Sequence, residues 1–149
     1  MTPGDVIFLA HAAATGVMTG LIWFVQVVHY PLLSRVGAAS FVEYERAHVQ
    51  RTTWVVAPAM IVEAATATVL PLFSRTQPGR ALAWGGLALL AVVWMSTALL
   101  QVPCHRKLAR GLDSDIARRL VATNWIRTVC WSLRLLVALA LLAITATRP

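Results

Sequence analysis

A chain of 149 residues that is 58% hydrophobic and 13% charged, with a mean hydropathy of +0.70, is too apolar for an ordinary water-soluble domain. It has the length for about four membrane crossings of roughly 20 residues each. The formal net charge of +7 does not point to nucleic acid, because most of the 13 Lys and Arg residues gather at the ends of apolar runs rather than over a folded basic surface.

The opening Met1-Thr2-Pro3-Gly4-Asp5 holds no basic residue. The apolar run after it is longer than the hydrophobic region of a signal peptide, so it reads as a retained first span over residues 6–33, with Pro31 and Gly37 at its exit. Gly16 and Gly20 form a GxxxG pattern that suits close helix approach. Ser40, with Glu43 three residues later, forms a capping-box pattern that starts an amphipathic segment over 41–53. That segment continues into a second span over 54–73, with a kink expected at Pro58, whose ring removes a helical hydrogen bond and crowds the preceding turn. A turn at Pro78-Gly79 leads to a third span over 81–102, closed by Pro103. A basic connector over 105–119 carries Gly111 and an Asp113-Ser114-Asp115 helix start, and the fourth span covers 123–147. The expected architecture is an all-α bundle of four transmembrane helices in a single domain, residues 1–149, with an amphipathic segment before the second span.

Loop charge sets the orientation. Arg35, Arg46, Arg51, Arg106, Lys107, Arg110, Arg118 and Arg119 follow the first and third spans, against Arg75, Arg80 and Arg148 on the other side. Cytoplasmic loops carry the excess of positive charge, so both termini are expected outside the cytoplasm, in a bacterial inner membrane. Cys104 and Cys130 then fall toward the cytoplasmic side, where thiols stay reduced, and their spacing matches no zinc motif.

Polar and ionisable side chains interrupt every span, and in hydrocarbon each is costly unless paired or hydrated. On the first span His11, Thr15, Gln26 and His29 fall within about 60° of one another at 100° per residue. The second helix repeats the arrangement with Glu45, His48, Thr52, Glu63 and Thr66. The third contributes Gln101 and His105, and the fourth a stripe of Asn124, Arg127, Trp131 and Arg134. By helical rise Arg134 lies about 15 Å beyond Asn124 and Glu63 about 18 Å beyond Arg51. These depths agree on parallel helices, which predicts a buried Glu63–Arg134 ion pair. Toward the cytoplasmic end His29, His48 and His105 are expected to converge, joined by Gln101, Asn124 and Arg127.

Three chemistries fit that convergence. A copper, iron or zinc ion would take His29, His48 and His105 with Glu45, whose Glu-x-x-His spacing to His48 resembles half of a carboxylate-bridged di-metal motif. A single haem would sit between two histidines, while His11 has no histidine partner for a second one. A metal-free pocket would use histidine to move a proton and Arg127 and Asn124 to hold an oxyanion. Of the tryptophans, Trp54, Trp84 and Trp125 read as interfacial anchors, whereas Trp23, Trp94 and Trp131 lie deeper and suit either a pocket wall or the core.

The segment Gln101-Val102-Pro103-Cys104-His105-Arg106-Lys107-Leu108, followed by Asn124-Trp125-Ile126-Arg127, resembles the anthrone-oxygenase-like family of small four-helix membrane proteins. Pro103, Leu108, Asn124 and Arg127 match its pattern, while Gln101 and His105 stand where the family carries asparagines. The resemblance implies a four-helix fold and a membrane-embedded oxygenase or oxidase that converts a small hydrophobic aromatic, anthrone- or quinone-like, at a site near the cytoplasmic side. On that reading His29, His105, Arg127 and Asn124 are catalytic, and Gln26, Gln101 and Trp131 bind substrate. The cofactor is expected to be none, or a copper or iron ion. A reading from a different class makes the chain a non-catalytic membrane module that binds metal, haem, lipid or a partner subunit. The partners expected are the lipid bilayer, a small hydrophobic molecule and, in an oligomer, further copies of the chain.

Overall fold

The structure is a computed structural model that describes residues 2–33 and 35–146. Four long apolar helices fill it: α1 (Pro3–Leu33), α2 (Ala38–Phe73), α3 (Gln77–Leu108) and α4 (Ser114–Ala146). Each has the length and hydropathy to cross a bilayer, so the chain is an all-α, four-span integral membrane protein. They run up and down in sequence, and each packs on its two neighbours around a ring, α1 on α2 and α4, α3 on α2 and α4. The α2–α3 seam is the loosest of the four.

Local chemistry sets the helix ends. Thr2 caps α1 through a capping box: its hydroxyl accepts from the Asp5 N–H at 3.3 Å, and the Asp5 carboxylate accepts from the Thr2 N–H at 2.7 Å. Asp113 starts α4 by accepting from the N–H groups of Asp115 and Ile116 at 2.9 and 3.0 Å. The expected start of the second helix is corrected. Gly37, not Ser40, precedes the first turn, so the amphipathic segment and the second span form one continuous helix containing Pro58 and Pro71.

The third span does not close at Pro103 either. The helix passes through it to Leu108, and α4 begins at Ser114, so the basic connector shrinks to residues 109–113. What accommodates Pro31 and Pro103 is a π-helical turn before each, Val25–His29 and Thr97–Gln101. A proline has no N–H for the carbonyl four residues back and its ring crowds that carbonyl; widening the preceding turn accommodates both effects without breaking the helix. Thr147, the expected end of the fourth span, and Arg148, counted in the charge argument, lie outside the described residues.

The interior is layered. Tyr30, Leu33, Phe41, Leu108 and Leu120 pack at the end carrying most of the basic residues, hereafter the basic end. Met18, Ile22, Met60, Val93 and Trp131 fill the middle, and Phe8, Leu70, Ala83 and Leu141 the opposite end. Cys104 belongs to the first layer but Cys130 packs in the middle one, deeper than its sequence position suggests, and both thiols are free. Gly86 lets α3 approach α4 closely, since a Cβ there would lie 3.3 Å from Val137 Cγ1. The Gly16–Gly20 pattern makes no comparable contact: a Cβ on Gly20 would meet nothing within 4 Å.

Candidate functional site

Two polar clusters occupy the bundle, one in its middle and one at the basic end. In the middle, Glu63 of α2 and Arg134 of α4 meet across the ring with Nε donating to Oε1 at 3.0 Å, and Nη2 at 3.0 Å from the same oxygen as an ion-pair contact. Thr15 donates to Oε1 at 2.9 Å and Trp131 Nε1 to Oε2 at 3.0 Å. Arg134 Nη1 also donates to the Gly86 carbonyl. His11 joins the periphery through a 2.9 Å hydrogen bond between Nδ1 and Thr66 Oγ1. Side chains of α1 and α4 thus converge on one α2 carboxylate, and Arg134 ties the cluster to α3 through the Gly86 carbonyl. No wall of the main cavity is formed by this cluster, and its evident work is to lock the ring.

At the basic end the arrangement is more open. Glu45 is fully buried, and its Oε1 lies 2.6 Å from His105 Nδ1. His105 Nε2 lies 3.1 Å from the Tyr30 hydroxyl. With Glu45 ionised, Nδ1 carries the ring proton and donates to the carboxylate, which leaves Nε2 to accept from the Tyr30 O–H. The second carboxylate oxygen, Oε2, is buried without a hydrogen-bond partner among the described residues, as is His29 Nε2. Unsatisfied groups of this kind are costly in a core and ask for an explanation.

A cavity of about 460 Å³ opens beside this relay at the α2–α3 seam. Its deep part is apolar, formed by Met18, Leu21, Ile22, Val25 and Val56, and its polar part by Tyr30, His48, Gln101, His105 and Arg127. Arg46 and Arg106 stand at its mouth, where Val49 and Thr53 are exposed. The volume falls in the roughly 300–1,000 Å³ range of small-molecule sites, and an apolar chamber with a few convergent polar groups is the form such sites take.

A second polar chain holds the cavity wall. Asn124 Nδ2 donates to Gln26 Oε1 at 2.8 Å, Gln26 Nε2 donates to the Val121 carbonyl at 3.2 Å, and Arg127 Nη1 donates to Asn124 Oδ1 at 3.3 Å. The Arg127 guanidinium also stacks over the Trp131 ring at 5.2 Å, and its Nε is buried without a hydrogen-bond partner among the described residues. Gln101 is fixed by Ser96 at 3.0 Å and by Thr123 at 3.3 Å.

The expected site residues therefore divide. His105, His48, Gln101 and Arg127 face one cavity. Asn124 and Gln26 stand outside it and act on Arg127 from behind, so the expected oxyanion role of Asn124 and the substrate contact of Gln26 give way to positioning. Trp131 belongs to the Glu63 cluster and is not a cavity wall. His29 lies behind His48, stacked on it at 4.1 Å and on Tyr44 at 6.2 Å, which removes it as the expected base at the cavity. Trp23 and Trp94, expected in a pocket or the core, are 42% and 45% exposed on the outside of the bundle.

The expected metal set, His29, His48, His105 and Glu45, is gathered in one place but not in coordinating geometry. Imidazole lone pairs lie in the ring plane, so the stacked rings of His29 and His48, 23° from parallel, aim theirs past one another. Both nitrogens of His105 are engaged with Glu45 and Tyr30. Among the described residues no group of three His, Cys, Asp or Glu side chains is placed to hold a metal ion. The same face-to-face stacking leaves no room between His29 and His48 for the plane of a haem.

Tyr30 is the central residue that the sequence reading passes over. It is buried to 4% exposure and sits directly after the first π-helical turn. A regular helix sends consecutive side chains about 100° apart, and the widened turn shifts everything beyond it relative to the stripe of His11 and Thr15. The signal available was Pro31. These features define a four-helix membrane bundle with a chamber lined by histidine, tyrosine and arginine at its basic end. Comparison of the chain with protein families, with functionally described proteins and with solved structures finds no match.

Proposed function

We propose that the protein is a membrane-embedded oxidoreductase, an oxygenase of anthrone- or quinone-like aromatics, with its basic end in the cytoplasm and both termini outside. The observation that carries the reading is the Glu45–His105–Tyr30 relay at the wall of an apolar cavity. An anthrone is acidic at its methylene carbon, and the conjugate base reacts with dioxygen without a cofactor. Such chemistry asks of a protein a base, donors for the enolate oxygen, and shelter from water.

Each requirement has a residue. The proton leaves carbon for His105 Nε2, and the Glu45 carboxylate compensates the imidazolium that forms. Released from Nε2, the Tyr30 hydroxyl donates to the enolate oxygen, beside the Arg127 guanidinium held in place by Asn124. The carbanion then attacks dioxygen, the peroxide takes a proton, and loss of water leaves a carbonyl; a methylene and dioxygen become a carbonyl and water. His48, hydrogen-bonded to Thr52 at 3.1 Å, borders the polar part of the chamber and links it to the basic end.

The test is oxygen uptake by purified protein in lipid nanodiscs supplied with a hydroxylated anthrone. Uptake above that of empty nanodiscs, lost in His105→Ala, supports the reading. Uptake equal to that of empty nanodiscs for anthrones and alkylhydroquinones alike overturns it.

A further inference from the structure

The polar groups of the chamber are not confined to the relay, and the permanently charged ones that line it, Arg46, Arg106 and Arg127, share a sign. Arg46 of α2 and Arg106 of α3 come from facing helices and both line its mouth. Neither forms an ion pair among the described residues. Of the carboxylates near them on α2, Glu45 is buried behind the wall and bound to His105, and the exposed Glu43, one turn from Arg46, forms no ion pair with it among the described residues. Asp115 is occupied by Arg118 at 2.6 Å, and Asp113 caps α4. Basic residues at a membrane edge serve topology wherever they stand. These two are distinguished by converging on one cavity whose deep half is apolar and whose inner polar end holds the spare Arg127 Nε.

We propose that the chamber takes an acidic amphiphile: a small aromatic molecule with an apolar tail in the deep half, a hydroxyl or carbonyl at Tyr30 and Arg127, and an anionic group held at the mouth by Arg46 and Arg106. Two guanidinium groups from different helices suit a carboxylate or phosphate, with which Arg makes paired, charge-assisted hydrogen bonds. The open α2–α3 seam gives such a molecule a lateral route from the bilayer with its charge at the headgroup level throughout. The inference deepens the oxidoreductase reading and rests on it for the chemistry that follows binding. An anionic phospholipid headgroup offers the same charge, but the cavity, at about 460 Å³, has the size of a single small amphiphile.

Binding separates the alternatives without turnover. The full chain in phosphatidylcholine nanodiscs is titrated with nonylsalicylate and with para-nonylphenol, which shares ring, hydroxyl and tail but lacks the carboxylate, each corrected for uptake by empty nanodiscs. The readout is the ratio of the two affinities, which a general loss of folded protein does not move. The expected preference for the salicylate is about tenfold, the scale of one good charge-assisted contact. Arg46→Gln with Arg106→Gln brings the ratio toward one, and the corresponding double Lys variant retains most of it. Equal affinities in the unmodified chain, or a preference that survives the Gln variant, overturn the proposal. In a second arm phosphatidylglycerol replaces part of the phosphatidylcholine. A preference that persists supports a small acid as occupant, and one abolished by the anionic lipid assigns the arginines to headgroups and overturns it. Oxygen uptake is read separately: equal affinities with uptake intact sink this inference alone, and selective binding without uptake sinks the oxygenase alone.

Discussion

Glu45 and Glu63 lie on the same face of one helix, five turns apart, and both are fully buried. Their surroundings differ in every other respect. Glu63 faces a permanent cation and both its oxygens are occupied, by Thr15, Arg134 and Trp131. Glu45 faces a histidine, which can give up its charge, and one of its oxygens has no hydrogen-bond partner among the described residues. The cavity of about 460 Å³ adjoins the second cluster and is not lined by the first. Burial of a carboxylate therefore says little about its role in this protein. The partner's ability to exchange a proton, and a cavity beside it, distinguish the Glu45 cluster, to which we assign proton transfer as a proposal, from the Glu63 cluster.

Glu63→Gln leaves Arg134 as an uncompensated buried cation, with an expected loss of about 3–5 kcal/mol. This reads as a large fall in thermal midpoint in detergent, and an unchanged midpoint would show that the cluster is no lock. Glu45→Gln is expected to shift the midpoint far less, while oxygen uptake with a hydroxylated anthrone falls by roughly 100-fold through loss of an oriented base. Equal midpoint losses in the two Gln variants would erase the distinction. Tyr30→Phe removes one hydrogen bond of the relay, costing about 1 kcal/mol of stability, and slows uptake less than Glu45→Gln does. The smallest effect is expected at Gly86→Ala, whose methyl group would press on Val137 at 3.3 Å. Its cost is about 1 kcal/mol at most with uptake preserved, and lost uptake would couple the two regions.

Much of the frame was legible in the sequence. Four apolar runs and their prolines predict four helices, and matched depth along two parallel helices predicts that Glu63 meets Arg134, because helical rise is the same everywhere. Rotation about the helix axis was harder to read. The positions of His29, Tyr30 and Gln101 depend on π-helical turns, which hydropathy does not register and which only Pro31 and Pro103 hint at. Asn124 and Arg127 were placed together correctly by spacing, but which of them reaches the cavity depends on Gln26 arriving from α1, a tertiary event. The start of α4 was legible in Asp113-Ser114-Asp115, but not that the helix runs unbroken from there into the apolar span. Its first two turns are basic and amphipathic, so a search for apolar runs begins at residue 123 rather than Ser114.

The two widened turns divide α1 and α3 into halves whose angular settings are offset from one another. Deleting Val27 would restore regular winding and swing the last turns of α1 by about 100°, carrying the Tyr30 phenol away from His105 while leaving the Thr15–Glu63 bond untouched. One residue of surplus length thus sets where the basic-end turns of α1 aim their side chains, while the Glu63 cluster is held by residues before the widened turn.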